Sequence, residues 1–134
     1  MNALETALYT QLTGGTALTA LLAGTTSVYN TQAPPGAAFP YVVFNLASGL
    51  TENVDDNERD DLYYTVKGVG TATMGQVGNI AAQLDSLLHK QSLSVSGYTN
   101  LWQRRTARVQ YAEVDAGITY YHQGGTYRFR LHKD

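Results

Sequence analysis

Apolar residues recur at helical spacing in three stretches of the chain. Leu4, Ala7, Leu8 and Leu12 share one face of a first helix, with Asn2 placed to cap it and Glu5 three residues on. Gly14-Gly15 ends that pattern. Thr16 then caps a second short helix with Leu18, Leu21 and Leu22 on one face, closed by Gly24. The strongest pattern runs from about residue 72 to 90. There Met74, Val77, Ile80, Ala81, Leu84, Leu87 and Leu88 form one apolar face, Thr73 and Gln76 fit a capping box, and His89-Lys90 sit at the cation-favouring end.

Between these stretches the period changes to two. Val28-Tyr29 reads as a brief strand, followed by a loop from Thr31 to Pro40 that holds all three prolines. Tyr41 to Leu46 is almost continuously apolar, which predicts a strand covered on both faces. Leu62, Tyr64 and Val66 alternate with Tyr63, Thr65 and Lys67, the pattern of a half-buried strand. A short strand is expected at Leu93-Ser94-Val95 and a long one over residues 101–111. In the long one Trp102, Arg104, Thr106, Arg108 and Gln110 share the parity expected to face solvent or a partner. Leu101, Ala107, Val109 and Tyr111 share the other, with Arg105 as the exception. The last strand alternates Tyr127, Phe129 and Leu131 with Arg128, Arg130 and His132, and Gly124-Gly125 before it is either a hairpin turn or a bulge. This order predicts an α+β fold: a mostly antiparallel β-sheet with a long helix and two short N-terminal helices packed on it. The expectation is one domain over residues 1–134, since 134 residues suit a single core.

Charge adds a polarity that the hydrophobic pattern does not show. The chain carries 9 basic and 11 acidic residues. Six of the acids, Glu52, Asp55, Asp56, Glu58, Asp60 and Asp61, fall within ten residues, relieved only by Arg59. Burying such a run without partners would cost several kcal/mol per carboxylate, so an exposed loop is expected. Six of the nine basic residues lie after residue 100. No cysteine is present, which excludes a disulfide framework, a thiolate nucleophile and Cys-ligated zinc. Apolar runs are far shorter than the ~20 residues of a membrane-spanning helix. The start, Met-Asn-Ala-Leu-Glu, lacks the basic stretch and apolar run of a signal peptide.

Tests for chemistry are negative. Gly70 to Gln76 sits between a strand and a helix like a phosphate-binding loop, but Gln76 replaces the required lysine and Val77 the Ser/Thr. Gly68 and Gly70 lack the third glycine of a dinucleotide fingerprint. Asp55-Asp56-Asn57-Glu58 lacks the spacing and glycine of a calcium loop. His89, His122 and His132 are scattered, and no serine lies in a nucleophile elbow. No catalytic residue, metal ligand or cofactor is therefore expected. The ten tyrosines, the tryptophan and the arginines of the C-terminal strands are residue types enriched at protein interfaces. Trp102, Arg104, Arg108, Arg128 and Arg130 are accordingly the candidate subunit or partner interface. A sheet that stacks nucleic-acid bases is the competing reading of the same residues.

Several segments together resemble one family. They are Leu4-Glu5-Thr6-Ala7-Leu8-Tyr9 with Ala17-Leu18-Thr19-Ala20-Leu21-Leu22, and Val28-Tyr29-Asn30 leading through Ala33-Pro34-Pro35-Gly36 to Phe39-Pro40-Tyr41-Val42-Val43-Phe44. The long helix after Gly70, Tyr111-Ala112-Glu113-Val114-Asp115 and Tyr127-Arg128-Phe129-Arg130-Leu131 complete the set. The layout resembles the tail terminator, or tail-completion, proteins of long-tailed bacteriophages and gene transfer agents. The resemblance implies a non-enzymatic virion protein, assembled in the host cytoplasm, that forms a hexameric ring at the head-proximal end of a tail tube. The ring would stop tube growth and dock the head-side connector, with DNA only as passing cargo and no membrane partner. The acidic residues would then line the channel or meet a neighbour's arginine-bearing strand. Another neck component, a head–tail connector or minor tail protein, remains the alternative.

Overall fold

The computed structural model describes residues 1–54 and 57–134. Two helices, α1 (Asn2–Thr13) and α2 (Thr16–Thr19), precede strands β1 (Val28–Asn30), β2 (Tyr41–Val54) and β3 (Asn57–Gly70). Helix α3 (Met74–Leu88) and strands β4 (Tyr98–Asp115) and β5 (Ile118–Lys133) follow. The strands form one sheet in the order β1-β2-β3-β5-β4, antiparallel except where β1 runs parallel to β2. The predicted α+β class and the mostly antiparallel sheet are both present.

All three helices pack on one face of this sheet. Leu4, Leu8 and Leu12 of α1, Leu18 of α2, and Ile80, Leu84 and Leu88 of α3 are fully buried against Val42, Phe44, Tyr64, Val66, Tyr127, Phe129 and Leu131. The periodic positions of the sequence are thus the core. Each buried Leu, Ile or Phe side chain contributes about 1.5–3 kcal/mol relative to exposure. Thr73 caps α3, its hydroxyl accepting the Gln76 N–H at 3.1 Å. The caps of α1 and α2 differ from expectation. Met1 caps α1 through its sulfur, which accepts the Leu4 N–H, while Asn2 lies inside the helix; Gly15 caps α2 in place of Thr16. Leu21 is exposed rather than on the buried face.

Three strand readings are corrected. First, β2 does not end at Leu46: past a register shift between Leu46 and Ser48 it runs on to Val54 and pairs with β3 throughout. β1 covers only the Val42–Phe44 part of its outer edge. The continuation shows no hydrophobic alternation, and among the described residues no helix packs on it. Second, Leu93 to Val95 forms no strand, although Leu93 and Val95 are buried in the core. Third, Gly124-Gly125 is neither turn nor bulge. β5 runs through it with unbroken register on both sides, and the hairpin turn lies at Ala116-Gly117, both at positive φ. A side chain at Gly124 would meet the Val66 carbonyl oxygen at 2.1 Å, so these glycines let β5 lie close to its neighbours.

Candidate assembly interface

Among the described residues no helix covers the second face of the sheet, and most of the candidate residues converge there. Directly opposed residues of antiparallel strands project to the same side. Asp61 and Tyr63 of β3 oppose Arg130 and Arg128 of β5, which in turn oppose Trp102 and Arg104 of β4. Arg128 is the centre of the group. Its Nε and Nη2 donate to the two Asp61 oxygens at 2.8 and 2.6 Å, a bidentate pair. Its guanidinium also lies 5.5 Å from the ring centroids of both Tyr63 and Trp102. Arg104 stacks on Trp102 from 5.4 Å. Hydrogen bonding by Arg128 holds the Asp61 carboxyl below the usual carboxylate range, against the opposing push of burial.

The acidic run is not the exposed loop expected from its composition. Glu52 lies on β2 and Glu58, Asp60 and Asp61 on β3. Asp60 and Asp61 are buried, each with a partner: Thr51 donates to Asp60 at 2.9 Å, and Arg128 neutralises Asp61. The cost of burial assumed an unpaired carboxylate, and cross-strand pairing supplies the missing partners. Glu52 and Glu58 form looser pairs with Arg130 and Lys133 at 3.9 and 3.6 Å, on a more exposed surface. Asp55 and Asp56 lie outside the described residues.

Arg108 separates from the other candidates. Register shifts between Asn100 and Trp102 and between Arg105 and Ala107 make Leu101 and Thr106 extra residues. The Arg105 N–H turns to His89 Nδ1 at 3.0 Å, and the Thr106 hydroxyl donates to the Thr126 carbonyl. After Thr106 the parity is inverted, so Arg108 opposes Gly125 on the helix-covered side. The first shift leaves Leu101 half exposed, while Gln103 is buried. The Gln103 amide donates to the Leu88 carbonyl at 2.7 Å and accepts from the Leu93 N–H, tying the end of α3 to the segment after it.

Sequence reasoning also missed a second cluster on the helix-free face. The His122 ring stacks on Tyr111 with centroids 4.4 Å apart, and His122 Nε2 pairs with Glu113 at 2.7 Å. The Lys67 ammonium sits over the Tyr111 ring and donates to its hydroxyl. Burial and Lys67 both push His122 below its usual range, outweighing Glu113. Among the described residues no group of three His, Cys, Asp or Glu side chains is arranged to hold a metal ion. Guanidinium and aromatic surfaces on a sheet suit association between macromolecules.

A family model described as Tail completion protein gp17 matches residues 6–132. The chain belongs to this family. It is a phage-tail structural protein. Its fold is similar to that of a chain in a solved structure titled "Virion of native gene transfer agent (GTA) particle". The TM-score is 0.79 at 19% identity, covering 98% of this chain and 96% of that one. No curated protein matches the chain.

Proposed function

We propose that this tail-completion protein forms a hexameric ring that ends the tail tube at its head-proximal side and docks the head-side connector. The observation that carries the reading is the family match across residues 6–132. The fold it shares with a chain of a gene transfer agent virion supports it. Assembly then needs surfaces rather than catalytic groups. The Trp102, Arg104, Arg128 and Arg130 surface is offered as a contact with neighbouring subunits or the tube protein. Stacked guanidinium and indole groups supply apolar area and hydrogen-bond donors together. The acid-bearing β2–β3 hairpin is a further contact surface, and DNA passes through as cargo.

Light scattering across concentration and salt, alone and with short purified tail tubes, tests the ring. The expected species has a mass near six times the 14.6 kDa of one chain. A chain that stays monomeric and leaves the tubes unbound would overturn the reading.

A further inference from the structure

Arg108 points to a second surface, distinct from the arginine-aromatic face. A cleft of about 300 Å³ runs between α3 and β4, with Gly78, Ala81 and Ala82 along its helix side. Arg105, Arg108 and Gln110 of β4, with Gln123, supply its polar side. Asp85 is the acid of this cleft, and its charge is already used. It pairs with Arg105 at 2.7 Å and accepts from the Tyr127 hydroxyl at 3.2 Å. Arg108 is exposed, and among the described residues no carboxylate lies within 4.0 Å of it. The cleft therefore carries a surplus positive charge beside small side chains that leave room for an inserted segment.

The sheet supplies the complementary element. β4 is an edge strand, and at the opposite side, among the described residues, β2 has no strand partner beyond Phe44 on its outer flank. That free flank carries the exposed Glu52, opposite Arg59, while Glu58 of β3 is half-buried opposite Asn53; among the described residues both acids are held by long ion pairs. One copy thus offers an acidic hairpin at one side and a basic cleft on an unpaired edge at the other. Two different complementary surfaces on one chain give a head-to-tail contact, the kind that closes into a ring. We propose that the α3–β4 cleft receives the acid-bearing β2–β3 hairpin of a second copy of this chain, with Arg108 taking a carboxylate of Glu52 or Glu58. The inference rests on the ring reading and names the surfaces through which adjacent copies meet.

The chain has no cysteine, so introduced thiols report proximity without interference. Ala82→Cys places one in the cleft and Asn53→Cys one on the hairpin, both at exposed positions. The two full-length variants are mixed and treated with a short bis-maleimide. The 82–53 pair is expected to give a covalent dimer at least tenfold more abundant than a control pairing Asn53→Cys with Thr10→Cys on exposed α1. Arg108→Glu in the cleft partner should remove that excess. Adding Glu52→Arg and Glu58→Arg to the hairpin partner should restore it. Equal yields for the two pairs, or a yield indifferent to Arg108→Glu, would overturn the proposal. Either result leaves the ring reading to its own test, the mass of the wild type with and without tubes.

Discussion

The two faces of this sheet are built on different rules. On the helix-covered face, Val42, Phe44, Tyr64, Val66, Tyr127, Phe129 and Leu131 meet the leucines of α1, α2 and α3, and burial specifies each position, with the Tyr64 and Tyr127 hydroxyls also donating to Glu5 and Asp85. On the other face, position is specified by pairing: Asp61 with Arg128, Arg128 with two rings, Lys67 and His122 with Tyr111. The first face makes the fold, and the second leaves planar, charged groups at the surface of a protein whose work is association. A substitution should therefore act on stability at the first face, and at the second on stability where the side chain is buried and paired, as at Asp61 and His122, and on assembly where it lies at the surface.

The largest expected effect breaks both faces together. Gly124→Ala drives a methyl group into the β3 backbone, so it should cost about 3 kcal/mol or more, or prevent folding. Chemical denaturation measures it, and a change under 1 kcal/mol would show that β5 can shift away from β3. Gln103→Ala comes next, at about 2–3 kcal/mol, because it strands the Leu88 carbonyl and Leu93 N–H in the interior. A near-neutral result would mean that water replaces the amide.

The acid side of the comparison sharpens with pH. The folded Asp61 carboxyl lies below its ordinary value of 3.8, so its contribution is full above that pH and is lost as pH falls through the folded value. His122 acts at milder acidity. Its folded form takes a proton less readily than the unfolded chain, so stability should decline as pH falls below about 6.5. Melting temperature against pH should show both steps. Asp61→Asn should diminish the lower one, to which Glu5 also contributes, at a cost of about 1–2 kcal/mol, and His122→Gln should flatten the upper one. Persistence of the upper step in His122→Gln would assign it elsewhere.

The smallest effect on stability should come from Arg104→Glu, within about 0.5 kcal/mol of wild type, since Arg104 forms no ion pair among the described residues and its partners are the Trp102 ring and the Gln103 carbonyl. The same variant should weaken association at least tenfold. Unchanged association would remove this face from the assembly account.

The difference between the faces also decided what could be read from sequence. Leu4, Leu8, Leu12, Ile80, Leu84 and Leu88 announce themselves, because burial imposes a period and the helix caps punctuate it. The β2 continuation past Leu46 carries no such mark, since both its faces are polar or exposed. The acids of β3 misled for a related reason: a carboxylate's cost depends on a partner 67 positions away in the chain, as with Asp61 and Arg128. Among the five interface candidates, Trp102, Arg104, Arg128 and Arg130 share one face as their alternation implied. Arg108 does not, because one extra residue at Thr106 inverts every position after it. Bulges leave no hydrophobic trace on an edge strand, so register there is legible only in three dimensions.

The most direct measurement images tail tubes polymerised from purified tube protein with and without this chain. The account predicts tubes of limited length whose one end carries a sixfold ring of additional density. Tubes that grow to the same length in its presence, with both ends bare, would contradict it.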